Sequence, residues 1–138
     1  MRVLAFDTAL GAGSVAVVAD GSCLARRDEP RPRALAERLL PMIEETLAEA
    51  GLGYGDLDLI AVTVGPGTFA GLRIGVAAAR GLSLATGVPA AGVTSLEALA
   101  FAALPDLGEG ETVVAAVDGR RGQLYRQAFE KRGGALAA

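Results

Sequence analysis

One segment limits the possible folds of this chain more than any other, because a strand pattern, a glycine-rich loop and a helix pattern follow one another directly. Residues 57–64 are mostly apolar and β-branched, which is typical of a buried strand. The loop at residues 65–71 contains three glycines, and apolar residues at helical spacing continue from it to Ala85. Thr68 is the predicted N-cap, because its hydroxyl can accept a hydrogen bond from an early helical amide. The segment predicts an α/β protein.

Shorter patterns on either side complete the predicted elements. Further strands are predicted from short apolar runs bounded by turn residues, over residues 2–6, 14–19, 23–25, 90–93, 112–117 and 124–129. Two more helices are predicted from apolar spacing and from capping residues, over residues 34–50 and 96–104. Pro41 lies inside the first of these helices, so we expect a bend there or a late helix start. No regular structure is predicted for residues 133–138.

The order strand, acid, glycine turn, strand occurs twice, at residues 3–18 and again at residues 113–129. Such a repeat predicts an internal duplication whose second copy stops early. We therefore expect residues 1–104 to form a first lobe and residues 111–138 to form the first strands of a second lobe. On this interpretation the chain is the front part of a two-lobed protein.

The residue types that are missing exclude several kinds of chemistry. The chain has no histidine and a single cysteine, Cys23, which excludes Ser-His-Asp and Cys-His catalysis, histidine-ligated zinc and an internal disulfide. We expect no metal site and no cofactor. No leading segment has the layout of a signal peptide, and no apolar run is long enough to span a membrane, so a cytoplasmic protein without a membrane partner is predicted.

Charge is distributed unevenly along the chain. The net charge is −3, yet the segment from Gly119 onward carries five basic residues against one acid. The acidic remainder argues against general DNA binding, because phosphate contacts dominate such affinity. The basic segment is most simply a solvated hairpin, and the sequence leaves open whether Arg120 and Arg121 contact RNA.

The glycine-rich loop permits two interpretations. It matches the loose pattern G-x-G-x-x-G/A, but no acid ends the following strand and no Gly-Lys-Ser/Thr follows, so neither a dinucleotide fold nor a Walker A loop is indicated. The loop either binds an anion or nucleotide at the helix start, or forms a turn that lets helix and strand pack closely. The candidate anion-binding residues share proximity to this loop or to the end of the first strand: Asp7, Gly65, Gly67, Thr68 and Arg73.

Small residues recur at every fourth position of the helix after the loop. They are Gly71, Gly75, Ala79, Ser83 and Gly87. A surface of this kind lets another helix approach closely, and bulky apolar residues cover most of the remaining circumference. Two interpretations remain open: the helix is buried in the core of the chain, or it is shared with a partner chain.

Five segments together resemble the bacterial TsaB (YeaZ) family. They are VLAFDT at 3–8, SVAV at 14–17, ERLLP at 37–41, GPGTFAGLRIG at 65–75 and VDGRRGQLY at 117–125. The resemblance implies an actin-like, ribonuclease-H-like (ASKHA) lobe. Its five-stranded mixed sheet would have the order 3-2-1-4-5 with packed helices, followed by the start of a second similar lobe.

The resemblance also implies a function and an interface. It implies a non-catalytic scaffold subunit in the formation of N6-threonylcarbamoyladenosine in tRNA, which has no catalytic residue and reaches tRNA only indirectly. The implied partners are a TsaD-like catalytic subunit, a TsaE-like ATPase and, when alone, a second copy. The implied contact residues lie on two helices: Leu35, Leu39, Ile43, Leu47, Leu72, Gly75, Val76, Ala79 and Leu82.

A second function stays open on the residues alone. Asp7 and Asp118 occupy matching positions in the two repeats, and actin-type and sugar-kinase ATPases place an acid at the end of the first strand. A nucleotide-binding phosphotransferase would use both carboxylates and the loop at residues 65–71 around a magnesium-nucleotide. The alternative for Asp7 is a turn-forming acid that bonds to nearby backbone amides.

Overall fold

The computed structural model describes all 138 residues and contains two β-sheets. The larger sheet has the order β3-β2-β1-β4-β5. Its strands are β1 (Arg2–Asp7), β2 (Gly13–Ala19), β3 (Ser22–Glu29), β4 (Leu59–Thr63) and β5 (Ala90–Val93). β1 pairs antiparallel with β2 and parallel with β4, and β4 pairs parallel with β5, so the sheet is mixed. The expected order 3-2-1-4-5 is confirmed.

Two long helices, α1 (Leu35–Ala50) and α2 (Phe69–Thr86), pack against the larger sheet. A short 3-10 turn, Pro32–Ala34, leads into α1, which continues through Pro41 without interruption. Both helices end at a glycine in the left-handed conformation, Gly51 and Gly87, as the sequence pattern predicts.

The main core lies between this sheet and α1. Alternate residues of the central strands, such as Leu4 and Phe6 of β1, point toward the helices because side chains alternate between the two faces of a strand. Leu39 and Ile43 of α1 pack into the same cluster. Burying one such side chain contributes about 1.5–3 kcal/mol, so this layer fixes how both helices sit on the sheet.

The smaller sheet has the order β6-β7-β8 and is antiparallel throughout. Its strands are β6 (Thr112–Arg120), β7 (Gln123–Arg132) and β8 (Ala135–Ala137). The prediction of no regular structure at residues 133–138 is wrong, because Gly133 and Gly134 adopt positive φ angles and turn the chain back onto β7.

The third helix, α3 (Ser95–Ala103), packs on the smaller sheet. Leu96 and Ala100 form a second buried cluster with Val117, Phe129 and a neighbouring alanine of the sheet. The sequence groups this helix with the first lobe, whereas its apolar side chains are buried against β6 and β7. The division into residues 1–104 and 111–138 stays a prediction.

A capping box starts α3. The Thr94 hydroxyl accepts a hydrogen bond of 3.0 Å from the Glu97 amide, and a Glu97 carboxylate oxygen accepts one of 2.8 Å from the Thr94 amide. These backbone and side-chain hydrogen bonds lower the pKa of Glu97 below its usual value. None of the helices combines the length and the apolar character that crossing a membrane requires.

Candidate functional site

The glycine-rich loop connects β4 to α2 and is tied to the end of β1. Gly65 has a φ angle of +111°, a conformation that favours glycine, and the Gly65–Pro66 peptide bond is cis. The predicted N-cap is confirmed, because the Thr68 hydroxyl accepts a hydrogen bond of 3.0 Å from the Gly71 amide. The Thr68 amide itself donates to the carbonyl oxygen of Ala9 over 2.8 Å. The chain after β1 therefore lies directly against the start of α2.

This close approach explains Gly71 and Gly75 of α2 and Gly67 of the loop before it. A Cβ atom on Gly67 would lie 2.5 Å from the Ala9 carbonyl oxygen, and one on Gly75 would lie 2.5 Å from the Thr8 hydroxyl. A Cβ atom on Gly71 would overlap the Thr8 carbonyl oxygen. Gly71 and Gly75 therefore accommodate Thr8 at the end of β1 and not a partner helix. This corrects the assignment of Gly75 as a partner contact.

The structure also corrects the other predicted contacts that face the core. Ala79 is 1% exposed, and Leu35, Leu39, Ile43 and Leu47 of α1 are each 3% exposed or less. These residues pack inside the chain because the apolar stripe of α1 faces the sheet. They cannot reach a partner while this fold is intact.

A different surface of α2 is open. We define the α2 outer face by residues that lie on the exposed side of the helix: Phe69, Leu72, Arg73, Val76, Arg80 and Leu84. Leu72 and Val76, both predicted contacts, are half-buried there. Leu82, also a predicted contact, is half-buried on the other side of α2, where it packs against the main core. Phe69 is 77% exposed and Leu84 is 89% exposed, the two highest values among the large apolar side chains of the chain.

The α2 outer face is also basic. The Arg73 guanidinium lies 5.2 Å from the centre of the Phe69 ring, within reach of a cation–π interaction. Neither Arg73 nor Arg80 forms an ion pair with a carboxylate. A shallow depression of about 410 Å³ lies between these arginines and the apolar side chains. Phe69 is not among the predicted contact residues, although the sequence places it directly after the predicted N-cap Thr68.

The neighbouring helix, α1, carries the opposite charge. It contains four glutamates and one arginine, whereas α2 contains two arginines and no acid. Glu45 and Glu49 pair with Arg27 of β3, at 3.7 and 3.0 Å. Glu37 and Glu44 have no cationic partner, and Leu40 between them is 50% exposed.

Glu44 accepts a hydrogen bond of 2.8 Å from the hydroxyl of Tyr54. Burial of the phenol and this bond to the Glu44 carboxylate raise the pKa of Tyr54 to about 12. The bond holds the Glu44 side chain beside Tyr54 on the surface of α1.

Asp7 forms a turn at the end of β1. Its Oδ1 atom accepts hydrogen bonds from the Ala9 amide at 2.8 Å and from the Thr63 hydroxyl at 2.5 Å. An acid used in this way fits the turn-forming interpretation of the sequence. The residues of the chain form no group of three or more acids or cysteines that is suited to a metal ion.

A cavity of about 710 Å³ separates the glycine-rich loop from the hairpin between β6 and β7. Of the candidate anion-binding residues, Gly67 and Thr68 line it, together with Asp118 and Arg120 of the hairpin. The others do not. Gly65 is buried, Asp7 lies in other cavities, and Arg73 lines the depression on the α2 outer face.

Comparison with known proteins gives a consistent family. The family model described as "TsaD: tRNA N6-adenosine threonylcarbamoyltransferase" matches residues 29–138. The tRNA threonylcarbamoyladenosine biosynthesis protein TsaB of Escherichia coli (strain K12) is 39% identical over 131 residues. That match covers 95% of this chain and 56% of the relative, so the chain spans a little over half of the relative's length.

Solved structures show the same fold. YeaZ from Pseudomonas aeruginosa superimposes with a TM-score of 0.87 at 37% identity, covering 99% of this chain and 64% of that chain. The ROK hexokinase of Thermus thermophilus superimposes with a TM-score of 0.63 at 21% identity, covering 99% of this chain and 49% of that chain. The second likeness concerns the fold alone and confirms the expected actin-like architecture.

Proposed function

The chain belongs to the TsaB (YeaZ) family, and from that premise we propose that it is a non-catalytic subunit in the formation of N6-threonylcarbamoyladenosine in tRNA. Its role is to bind and support a TsaD-like catalytic subunit. A TsaE-like ATPase is a further partner of the pair, and two copies of the chain associate when the catalytic subunit is absent. The similarity to TsaB proteins supports the pathway, and the α2 outer face supports the mode of action.

One observation carries the proposal: the α2 outer face exposes apolar side chains that a water-facing helix normally lacks. Phe69 and Leu84 stand at its two ends, with Val76 between them. Apolar and aromatic side chains mixed with arginine are the composition found at the centre of protein–protein interfaces. Neither arginine of the face forms an ion pair within the chain. The face is therefore composed like a contact surface.

Charge supports the association of two copies. The acidic surface of α1, with Glu37 and Glu44, lies next to the basic surface of α2, with Arg73 and Arg80. A two-fold axis between the helix pairs places α1 of one copy against α2 of the other, which brings opposite charges together. The same arrangement suits a catalytic subunit that presents a similar helix pair.

The phosphotransferase alternative has less support. Its two carboxylates, Asp7 and Asp118, line different cavities, and each accepts a hydrogen bond from the backbone of its own turn. A magnesium-nucleotide site needs both carboxylates at one phosphate group. These hydrogen bonds within the turns explain why both positions carry a carboxylate, and no ligand is needed for that explanation.

Light scattering on the purified chain, alone and mixed with its cognate TsaD-like subunit, tests the proposal. We expect a homodimer that exchanges into a one-to-one complex. Leu84→Ser is expected to weaken both associations, since it removes an exposed apolar contact and leaves the core untouched. Leu24→Ser is the matched control, because Leu24 is 45% exposed on β3, away from α2.

Two results would contradict the proposal. One is a monomer that ignores the catalytic subunit while its circular dichroism shows an intact fold. The other is equal loss of association in the two serine variants, because that would separate association from the α2 outer face.

A further inference from the structure

The hairpin between β6 and β7 has an unusual tip. Arg120 and Arg121 both adopt positive φ angles, +61° and +51°, and Gly122 follows at +73°. For a residue with a side chain, the left-handed conformation costs roughly 1–2 kcal/mol, and asparagine or glycine is the usual choice there. The Arg120 amide donates a hydrogen bond of 2.8 Å to Asp118, which helps to hold the turn. Two arginines therefore stand where folding alone favours other residues.

The arginines of the hairpin have no partners inside the chain. Arg120, Arg121 and, four residues beyond the turn glycine, Arg126 are all exposed and form no ion pair. By contrast, Arg26 of β3 and Arg132, at the end of β7 far from the turn, each pair with a carboxylate two residues away. The hairpin is thus a concentrated positive charge on a chain whose net charge is −3.

Aromatic rings stand close to this charge. Tyr125 of β7 and Phe69 at the start of α2 both line the 710 Å³ cavity beneath the tip, together with Arg120. Tyr125 is 50% exposed and Phe69 is 77% exposed. A cavity lined by the guanidinium group of Arg120 and by exposed aromatic rings can hold a flexible polyanion that carries flat bases.

Resting on the proposed function, we propose that the β6–β7 hairpin contacts the tRNA substrate directly. Arg120 and Arg121 bind backbone phosphates of an unpaired stretch, because a guanidinium group donates two parallel hydrogen bonds to a phosphate. The contact is independent of base sequence, since phosphates carry no sequence information. The remainder of the chain is acidic overall, so the contact is centred on the hairpin. This proposal of a direct contact replaces the expectation that the chain reaches tRNA only indirectly.

The variant Arg120→Asn/Arg121→Asn tests the proposal without disturbing the turn. Asparagine tolerates the left-handed conformation better than arginine, so the melting temperature is expected to stay constant or rise. Binding of a fluorescein-labelled tRNA transcript is measured by anisotropy from 50 to 200 mM KCl, for the chain alone and in complex with the TsaD-like subunit. Arg2→Asn is the matched control, an exposed arginine at the opposite end of β1 from the cavity.

We expect the double variant to bind tRNA on the order of 10-fold more weakly at 100 mM salt, with a salt dependence flatter by about 1.4 logarithmic units per decade, since two phosphate contacts are lost. Unchanged affinity and slope, with the fold intact, would overturn the proposal. So would weaker binding of the TsaD-like subunit in the absence of RNA, because that result makes the hairpin a protein contact. If no complex forms with wild type, the proposed function fails separately, and the measurement on the chain alone still decides this inference.

Discussion

The hydroxyl of Thr8 donates a hydrogen bond of 2.6 Å to the backbone carbonyl of Gly71, inside the buried contact between the end of β1 and the first turn of α2. The two residues are 63 positions apart in the sequence. Their contact holds the helix start against the sheet and fixes the direction in which α2 presents its outer face. The position of the proposed partner surface therefore depends on how closely glycines let α2 approach the strand.

Two glycines of α2 are expected to respond in opposite directions to alanine. Gly71→Ala forces a methyl group into the Thr8 carbonyl, and overpacking of this kind costs about 1–3 kcal/mol. Gly81→Ala meets no atom within 4 Å, and it is expected to stabilise the helix by about 0.5–1 kcal/mol. Urea unfolding of the two variants measures both changes. Equal changes in the free energy of unfolding would show that the close approach at Gly71 does not exclude a methyl group there.

Thr8→Val is expected to lower the free energy of unfolding by about 1 kcal/mol, because it keeps the shape of the side chain and removes one hydrogen bond. Thr8→Ser is the control, since it keeps the hydroxyl and loses only a methyl group. Chemical unfolding of the three proteins gives the values. A valine variant as stable as wild type would mean that the bond to Gly71 contributes nothing measurable.

The capping box of α3 makes the stability of the folded chain depend on pH. The pKa of Glu97 is lowered in the folded chain, so the ionised carboxylate contributes stability above its unfolded pKa of about 4.3, and this contribution is lost as the pH falls. Glu97→Gln is expected to be less stable than wild type by about 0.5 kcal/mol at pH 7. The difference should shrink as the pH falls below the unfolded pKa and through the lowered folded pKa. Thermal unfolding of both proteins over a series of pH values from 7 downward is the measurement, and a difference that does not shrink with falling pH contradicts it.

Substitutions of Asp7 distinguish a turn-forming role of its carboxylate from a metal-binding role. Asp7→Asn keeps an oxygen that accepts the bonds from Ala9 and Thr63, so it is expected to fold with a loss under about 1 kcal/mol, whereas Asp7→Ala loses both bonds and about 1–3 kcal/mol. Calorimetric titration with magnesium-ATP is expected to give no heat of binding for wild type. Binding by wild type that disappears in the asparagine variant would revive the phosphotransferase.

Much of the fold follows from the sequence, because the strongest local signals agree with it. The N-caps Thr68 and Thr94 and the terminal glycines Gly51 and Gly87 act on neighbouring backbone groups, so they mark helix ends reliably. Strand ends are less predictable. β3 continues to Glu29 through a polar stretch, because its length is determined by pairing with β2 rather than by a run of apolar residues.

The candidate surface was harder to predict for a physical reason. A helix that is apolar nearly all round does not reveal which side faces the sheet, and the small residues of α2 suggested a helix partner. The space beside Gly71 and Gly75 is taken instead by Thr8, which is distant in sequence. Contacts of this range are set by the whole fold, so the outward position of Leu84 could be assigned only from the structure.

The dissociation constant between the chain and its TsaD-like subunit, measured by calorimetry for wild type and for Arg73→Glu/Arg80→Glu, tests the central claim most directly. Both arginines are exposed on the α2 outer face and form no ion pair, so the reversal leaves the fold intact. We expect the double variant to bind roughly 30-fold more weakly, as follows when contacts worth about 2 kcal/mol are lost. Equal affinity for both proteins would place the partner surface elsewhere and contradict the proposed role of the α2 outer face.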